Sequence, residues 1–438
     1  MLNTRKCPSS LWSPLNLPDN DGIVATMCSG VYVFDNVGNK FFDAYSGLWN
    51  VNLGYSNDKI KDAMKKQIDV MPFVNPLVFC HENALQLSKI ICDMIGCDME
   101  KVFFSCTGSE AVEVALKVAR KYNIMMGKGR KLIAVFGNSY HGTYYGSMSA
   151  SNFEGGCRAG LEPLLEGFIS LGVPYQRKAV GQVNYAENEK KLLTELHEFL
   201  SQHSNDIGAI LIEPIIGSGG VITPPTNYIK ALSDYCQAHN VLMICDEIAC
   251  GFGRSGHMFG FQHFNLEPDI VLLSKGINNG YAPIGATCIN KKIVNLFRDN
   301  EEFLFHLSTQ NLNPISIAAS LANIGLYNEE LLHQITLSSS FWQESLKEIA
   351  SIKCVNNIRV QGLMIAIDFT DKNHDILPLI MLQKLIYNIL KNGVIVGDSY
   401  IANTLSSILL FPPYIATKQE IRRCVCSLKR AIIETFPE

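Results

Sequence analysis

The sequence predicts an α/β protein: a large domain with a mainly parallel sheet sandwiched by helices, and a smaller α+β domain formed by the N- and C-terminal segments. The first observation is the length and composition of the chain, since 438 residues with 47% hydrophobic content can bury a large core. The second observation is the order of the strand-like and helical segments along the chain. Between about residues 100 and 290, short β-branched runs alternate with helical stretches, a pattern typical of a parallel sheet covered on both faces.

Four buried runs predict the central strands of the large domain: LIAVF at 132–136, IGAILIE at 207–213, VLMICDE at 241–247 and DIVLLSKG at 269–276. A helix is predicted after Ser109, because Val112, Leu116 and Ala119 recur at helical spacing. Polar residues occupy the opposite face of this helix, so we expect it to pack on the sheet.

The C-terminal segment predicts a second group of elements. Strands are expected at 362–369 and 407–415, and helices at 378–391 and 417–434. We expect these elements and the N-terminal region to form the small domain. The predicted boundaries are 1–70 for the N-terminal segment of the small domain, 71–325 for the large domain and 326–438 for the C-terminal small domain.

Composition argues against several kinds of partner. The balance of 37 Lys+Arg against 41 Asp+Glu gives a net charge of −4, without the basic run that nucleic-acid binding requires. The N-terminal MLNTRKCPSSLW has no apolar signal segment, and no stretch approaches the roughly 18 apolar residues of a membrane span. The 14 cysteines form no CxxC pair, so we expect neither a metal site nor a disulfide framework. These features predict a soluble, cytoplasmic protein.

A GxGxxG pattern at Gly251, Gly253 and Gly256 is the first candidate motif, because such loops bind dinucleotide phosphates. In that role the glycines must open a helix, so that the pyrophosphate meets the helix N-terminus. Here the next segment, HMFGFQHFNLEPD, has poor helical periodicity and contains a proline. The context therefore argues against a nicotinamide or flavin site.

Asp246 and Lys275 form a better candidate pair. Each follows a predicted buried strand, and ligands of parallel sheets bind at the carboxyl ends of the strands. Pyridoxal 5′-phosphate (PLP) requires a lysine amine for a Schiff base and a carboxylate that keeps its ring nitrogen protonated. Lys275 and Asp246 have the right chemistry for these two roles, although either alone would be unremarkable at a strand end.

A phosphate site is predicted at the start of the helix that follows FFSC. Thr107, Gly108 and Ser109 offer hydroxyls and room for close backbone approach beside the first-turn N–H groups. The alternative for Ser109 is a simple helix N-cap. Tyr140, after a predicted strand, could stack on a planar cofactor ring, although a lone tyrosine is more often part of a core.

Five successive segments resemble the sequence blocks of the class III PLP-dependent aminotransferases of fold type I. They are TGSEAVEVALKVAR at 107–120, SYHG at 139–142, LIEPIIGSGGVITPP at 211–225, ICDEIACGFGRSG at 244–256, and PDIVLLSKG at 268–276 with the following NNGYAPIGA. They occur in the family's order, and the likeness spans roughly residues 30 to 435. It is greatest to diaminopelargonic acid synthases and ω-amino-acid:pyruvate transaminases.

The resemblance implies roles for residues beyond Lys275 and Asp246. Gly108 and Ser109 match the family's phosphate-binding pair, and Tyr140 matches the aromatic residue over the cofactor ring. Ile248 matches the aliphatic residue under the opposite ring face, and Glu213 of the EP block is also expected at the cofactor.

Two further matches concern the substrate and the assembly. Trp49, in SGLWNVNLGY, matches a tryptophan that lines the substrate pocket, although a tryptophan near a glycine turn can simply pack in a core. The segment HLSTQNLNP at 306–314 resembles a block whose threonine, here Thr309, reaches the phosphate in the neighbouring subunit. The resemblance therefore implies a homodimer whose active site is shared between protomers.

Two departures from the family pattern concern the substrate. Ser218 occupies the position at which ornithine- and GABA-type relatives have a glutamate. This difference argues against ornithine or GABA aminotransferase activity. Gly397 and Asp398 follow the GVIV strand, where many relatives place an arginine that binds a substrate carboxylate. No arginine occurs anywhere in 393–414, so we expect no carboxylate clamp there. Asp398 could instead favour a cationic or polyhydroxyl substrate.

The resulting hypothesis is an aminotransferase that moves an amino group between a primary amine and an aldehyde or ketone. The expected substrate lacks an adjacent carboxylate and could be an amino sugar, a polyamine or a secondary-metabolite intermediate. Lys275 would be the catalytic base. The alternatives are a diaminopelargonate aminotransferase, an ω-amino-acid:pyruvate transaminase, another PLP reaction such as racemisation, or a PLP-binding protein that has lost catalysis.

Overall fold

The computed structural model describes residue 10 and residues 22–153, 157–175, 185–402 and 404–437; for residues 185–187 it describes the backbone. No helix within these ranges combines the length and the apolar composition that a bilayer span requires.

A seven-stranded sheet forms the centre of the molecule, in the order β4-β10-β9-β8-β7-β5-β6. From β9 to β6 all neighbouring strands are parallel, whereas β10 runs antiparallel to both β9 and β4. The predicted strands are confirmed as β5, β7, β8 and β9. The seven strands are β4 (Met99–Ser105), β5 (Leu132–Val135), β6 (Phe168–Ser170), β7 (Ile207–Ile212), β8 (Leu242–Asp246), β9 (Ile270–Leu273) and β10 (Gly285–Asn290).

Helices cover both faces of this sheet, as the alternating sequence pattern predicted. Successive side chains of a strand point to opposite faces, so Met243 and Cys245 join one core cluster while Leu242 and Ile244 join the other. The helices are α2 (Asp58–Val70), α3 (Glu82–Ile95), α4 (Gly108–Met125), α5 (Tyr145–Ala150), α6 (Tyr185–Gln202), α7 (Thr226–His239), α8 (Lys291–Asp299) and α9 (Pro314–Ile324). Val112, Leu116 and Ala119 of α4 are buried against the sheet, as predicted.

Two smaller sheets lie in the terminal segments. An antiparallel sheet has the order β11-β12-β15-β14, and a second sheet has the order β1-β2-β3-β13. Because β13 pairs in parallel with β3, the second sheet joins the N- and C-terminal segments. The elements are β1 (Ala25–Ser29), β2 (Tyr32–Asp35), β3 (Lys40–Asp43), β11 (Val355–Gln361), β12 (Met364–Phe369), β13 (Val394–Ile395), β14 (Gly397–Ile401), β15 (Leu405–Leu410), α10 (Glu329–Ala350), α11 (Leu379–Lys391) and α12 (Lys418–Thr435).

Two predicted strands extend too far. The strand predicted at 407–415 ends at Leu410, because Pro412 and Pro413 have no N–H group to donate to a neighbouring strand. The strand predicted at 269–276 ends at Leu273, where the chain turns into the short 3₁₀ helix Lys275–Ile277. The division at residues 70/71 and 325/326 stays a prediction; in the structure, α2 packs on α9.

Candidate active site

Two neighbouring parallel strands end at the same edge of the large sheet. β8 ends at Asp246, and β9 ends just before Ser274 and Lys275. Asp246 and Lys275 line one cavity of about 160 Å³. Eight of the ten predicted site residues lie on its wall: Trp49, Gly108, Ser109, Tyr140, Glu213, Asp246, Ile248 and Lys275.

Lys275 lies in a strained part of the backbone, with a φ of +40° in the left-handed region. Its Nζ lies 4.5 Å from the centroid of the Trp49 ring. Burial lowers the pKa of the amine below its ordinary value, and the carboxyls of Asp246 and Glu213 partly oppose this shift. The amine is therefore closer to its neutral, nucleophilic form than an exposed lysine would be.

The Asp246 carboxylate is buried and hydrogen-bonded on both oxygens. Oδ2 lies 2.7 Å from Nδ1 of His141, and Oδ1 accepts the N–H of Ile248 at 3.1 Å. Because an ionised carboxylate can only accept, the His141 ring N–H is the donor. These two hydrogen bonds hold the carboxylate in one orientation at the wall of the cavity. The sequence reasoning missed His141, although it directly follows Tyr140 in SYHG.

The first turn of α4 forms another wall of the cavity. The N-cap of α4 is Thr107, whose Oγ1 accepts the N–H of Glu110 at 3.0 Å. The alternative that Ser109 is the N-cap is therefore wrong. Its hydroxyl lies inside the first turn and accepts the N–H of Thr143 at 3.2 Å.

Two glycines leave space beside Ser109. A Cβ on Gly108 would lie 3.0 Å from Cδ1 of Ile248, and a Cβ on Gly142 would collide with Oγ of Ser109. Gly142 also has a φ of +129°, which side-chain-bearing residues rarely adopt. Hydroxyls, helix N–H groups and a cradle without side chains are the features that bind a phosphate closely.

Glu213 holds the far wall of the cavity in place. Its two carboxyl oxygens accept the N–H groups of Tyr140 and Gly217, each at 2.9 Å. Complete burial is the main reason that the pKa of Glu213 rises to about 7, and the nearby Asp246 carboxylate raises it further. Glu213 therefore fixes the backbone of Tyr140, a residue that lines the cavity.

An aromatic group closes the side of the cavity near Lys275. Trp49 ends the single left-handed turn α1 (Ser46–Trp49), in which all four residues have positive φ. The Trp49 ring stacks on Phe411 with centroids 4.2 Å apart and an interplanar angle of 16°. Tyr45 contacts both rings edge-on. Tyr45 and Phe411 were also missed, because they come from opposite ends of the chain.

Thr309 and Asp398 do not line the cavity of their own chain. Thr309 is exposed in the loop before α9, and Asp398 is exposed on β14. Desolvation by the surrounding protein still raises the pKa of the Asp398 carboxyl. Their predicted roles at the phosphate and at the substrate stay predictions.

The GxGxxG pattern does not open an α-helix. Gly253 and Gly256 have φ values of +82° and +100° in the turns after β8, and the chain continues into the 3₁₀ helix Gly260–Phe264. The pattern therefore lacks the α-helix that a dinucleotide-binding loop opens, in agreement with the poor helical periodicity of the segment after it.

Comparison with known proteins agrees with this geometry over nearly the whole chain. The family model described as aminotransferase class-III matches residues 18–432. The chain belongs to the class III aminotransferases. The adenosylmethionine-8-amino-7-oxononanoate aminotransferase of Staphylococcus aureus is 30% identical, over 94% of this chain and 92% of the relative. The putrescine–pyruvate aminotransferase of Pseudomonas aeruginosa is 29% identical, over 94% and 91%.

The solved structures confirm the fold of this aminotransferase. An amine transaminase from an uncultivated Pseudomonas species, determined in its PLP-bound form, superposes with a TM-score of 0.90. It is 29% identical, and the match covers 98% of this chain and 100% of that one. The aminotransferase therefore has the fold type I architecture, and its cofactor is PLP. The cavity fits this cofactor, because the Gly108–Gly142 cradle, the buried Asp246 and Lys275 all line it.

Proposed function

We propose that this aminotransferase acts on primary amines without a carboxylate next to the amino group, such as an amino sugar, a polyamine or a secondary-metabolite intermediate. The amino group would pass to an aldehyde or ketone. One observation carries the proposal: among the described residues that line the cavity, Lys275 is the only lysine or arginine. A substrate carboxylate would therefore find no fixed cation besides the amine that the chemistry itself uses.

Each residue of the cavity would have a distinct role towards PLP. Lys275 would hold PLP through its Nζ and later take the proton from the carbon that bears the amino group. Asp246 would face the ring nitrogen, while Tyr140 and Ile248 would pack on the two faces of the ring. When bound, PLP supplies an aldehyde that takes up the amino group and a protonated ring that withdraws electrons.

The phosphate would bind at the start of α4. Gly108 and Ser109 offer an N–H group and a hydroxyl at the positive end of the helix dipole. Glu213 would keep the wall that carries Tyr140 in place.

The proposed role of Lys275 is tested by replacing it. Lys275→Ala should reduce turnover on the order of a thousandfold or more, because no other described cavity residue offers an amine. The visible absorbance of the cofactor should change when an amine donor is added to the wild type and not to the variant. Lys384→Ala removes an exposed lysine of α11 and should leave both measurements unchanged. Full activity of Lys275→Ala would contradict the mechanism.

The rival substrate is the keto acid of the diaminopelargonate enzymes. It is supported by the S. aureus relative, which carries that name at 30% identity. An assay of 8-amino-7-oxononanoate with S-adenosylmethionine as donor separates the two functions. The same screen should include diamines, amino sugars and ω-amino acids with pyruvate. A requirement for a separate carbonyl acceptor would distinguish amino transfer from racemisation.

We also propose that two copies of the chain share each active site. Glu110, in the first turn of α4, holds the loop that carries Thr309: its Oε1 lies 3.1 Å from both His306 Nε2 and Asn311 Nδ2. Thr309 itself is exposed, so its hydroxyl is free to reach another protomer. Exposed apolar side chains surround this loop, among them Phe303 and Phe305.

The proposed compartment is the cytoplasm. All thirteen cysteines of the described part of the chain are free thiols, a pattern that suits a reducing environment. The proposed partners are the small amine and carbonyl substrates and the second protomer. Neither a nucleic acid nor a membrane is proposed, since the net charge is −4.

A further inference from the structure

Asn323 is a buried amide in the mostly apolar helix α9. Its side chain is shielded from solvent, and it lies on the same face of α9 as the buried Ser316 and Ser320, at helical spacing. Nδ2 of Asn323 donates to the carbonyl oxygens of Gly276 and Ile277, at 2.8 and 3.0 Å. Burial of an amide costs free energy unless hydrogen bonds replace its water, so these two contacts account for a polar residue at this place.

Gly276 and Ile277 directly follow Lys275 in the short 3₁₀ helix Lys275–Ile277, which we call the lysine turn. Both residues end this helix, so their carbonyl oxygens find no partner within it. In the part of the chain that the structure describes, no backbone N–H donates to either oxygen. The Asn323 amide is therefore the group that binds the end of the lysine turn.

The lysine turn is also held on its other sides. Before it, Oγ of Ser274 donates to the carbonyl oxygen of Ile284 at 2.7 Å. A Cβ on Gly276 would lie 2.6 Å from Nδ2 of Asn52, so the turn has no space to move in that direction. Space for the turn to relax would open on the α9 side if the Asn323 side chain were shortened.

Lys275 needs such a restraint because its φ is +40°. A residue with a side chain keeps a φ in this region only where the surrounding contacts enforce it. The direction in which Cβ leaves the backbone depends on φ, so relaxation to a negative φ would swing the lysine side chain. Nζ would then leave its place 4.5 Å from the centroid of the Trp49 ring.

We propose that Asn323 is a positioning residue that holds Lys275 in its strained backbone conformation and thereby directs the amine into the cavity. Asn323 is not among the described residues that line the cavity, so it acts through the backbone of the lysine turn. This inference rests on the proposed role of Lys275 and adds the residue that places its amine.

The first test measures turnover of the holoenzyme with pyruvate and putrescine, or the best amine of the screen above. Asn323→Ala should lower kcat about a hundredfold, because the amine would be misplaced by about an ångström or more. KM for the amine should stay nearly unchanged, since the residues that contact the substrate remain in place. Asn323→Thr offers one hydroxyl donor in place of the amide and should lower kcat about tenfold. It replaces Asn323→Ala if that variant does not fold.

Asn123→Ala is the matched control. Asn123 is also a buried helix amide, and its Nδ2 donates to the carbonyl oxygens of Ala119 and Gly208 at 2.9 and 3.1 Å. It lies about 20 Å along α4 from Ser109. This variant should lose stability and keep the wild-type kcat.

Two further measurements on the apoenzyme do not depend on turnover. The Lys275 amine should react with pyridoxal at a higher pH in Asn323→Ala than in the wild type, after the rate that Lys275→Ala retains is subtracted. The reason is that an amine released from the cavity wall regains water, and its pKa rises towards the ordinary lysine value. Calorimetry should show that Asn323→Ala lowers Tm by several degrees more in a Lys275→Gly background than in the wild type, because only a lysine gains by relaxing.

Four outcomes would overturn the proposal. They are a wild-type kcat in Asn323→Ala (or in Asn323→Thr where it replaces it), equal kcat losses in Asn323→Ala and Asn123→Ala, an unchanged pH profile with pyridoxal, and equal decreases of Tm in the two backgrounds. In each, the cofactor absorbance of the wild type would still respond to amines, so the proposed function would stand. If no amine changed that absorbance, the proposed function would fail, and the pyridoxal and Tm measurements would still decide the role of Asn323.

Discussion

Glu213 and Glu247 are two buried carboxyls beside Asp246, and each binds its proton more tightly than an exposed glutamate does. Burial is the main cause that raises the pKa of each to about 7. Each also accepts two backbone N–H groups at 2.7 to 2.9 Å. These hydrogen bonds favour the charged form but do not offset the loss of hydration, so both groups titrate near neutral pH.

This titration predicts a pH dependence of stability. The folded chain binds more protons than the unfolded chain between pH 4.5 and about 7, so the stabilising contribution of Glu247 is complete below 4.5 and is lost as pH rises through about 7. Between pH 5 and pH 8, the free energy of unfolding of Glu247→Gln, measured with urea, should rise relative to that of the wild type by on the order of 3 kcal/mol. Glu348→Gln changes an exposed residue of α10, and its free energy of unfolding should depend on pH in the same way as that of the wild type. Parallel curves for Glu247→Gln would contradict the prediction.

The proposed phosphate cradle combines the start of α4 with one loop. The helix supplies Gly108 and Ser109, and the loop after β5 supplies Gly142, whose backbone takes the space beside the Ser109 hydroxyl. Neither element would bind a phosphate closely if position 142 carried a side chain.

Gly142→Ala should therefore weaken PLP binding. The new methyl group would collide with Oγ of Ser109, and alanine is strained at a φ of +129°. We expect the Kd for PLP, measured by titrating the apoenzyme and following cofactor absorbance, to rise about tenfold or more. Gly129→Ala is the matched control, because a Cβ there meets nothing within 4 Å. Equal Kd values for the two variants would refute the role assigned to the cradle.

The elements were predictable from sequence to the extent that they follow a local period. The buried strands β7, β8 and β9 stand out as continuous apolar runs, and Asp246 and Lys275 follow from the ends of two of them. His141 did not follow, because its contact with Asp246 joins residues 105 positions apart. The contact between Tyr45 and Phe411 could not be predicted for the same reason, since the two residues meet only in the folded chain.

At the scale of the whole molecule, apolar side chains are concentrated around the loop that carries Thr309. In the single chain three of them, Leu77, Phe79 and Phe305, are exposed to 74%, 58% and 87%. Exposed apolar side chains that cluster in this way are typical of an interaction surface. His81 Nε2 lies 3.0 Å from the carbonyl oxygen of Leu312, so the segment before α3 and the Thr309 loop lie on the same side of the molecule. A second protomer on this surface would bury these side chains.

Phe305→Asp should shift the protein from dimer towards monomer, because a charge would replace an exposed apolar side chain on the proposed interface. Sedimentation velocity over a range of concentrations measures the shift. Ile380→Asp places the same charge on another exposed apolar position, on α11, and should leave the assembly unchanged. A wild type that sediments as a monomer at all concentrations would exclude the shared site.

Thr309→Ala separates assembly from cofactor binding. The variant should remain a dimer and bind PLP about tenfold more weakly, because the partner's phosphate contact would lose one hydroxyl. An unchanged affinity for PLP would remove Thr309 from the proposed site.

The φ of +40° at Lys275 means that this position would suit glycine better than lysine. The chain keeps there a residue that is both conformationally unfavourable and poorly hydrated. Lys275→Gly should therefore give a catalytically dead protein that melts several degrees above the wild-type apoenzyme, as differential scanning calorimetry can measure. If so, activity and thermal stability compete at a single residue, and selection for thermostability alone would tend to remove the lysine to which we assign the reaction.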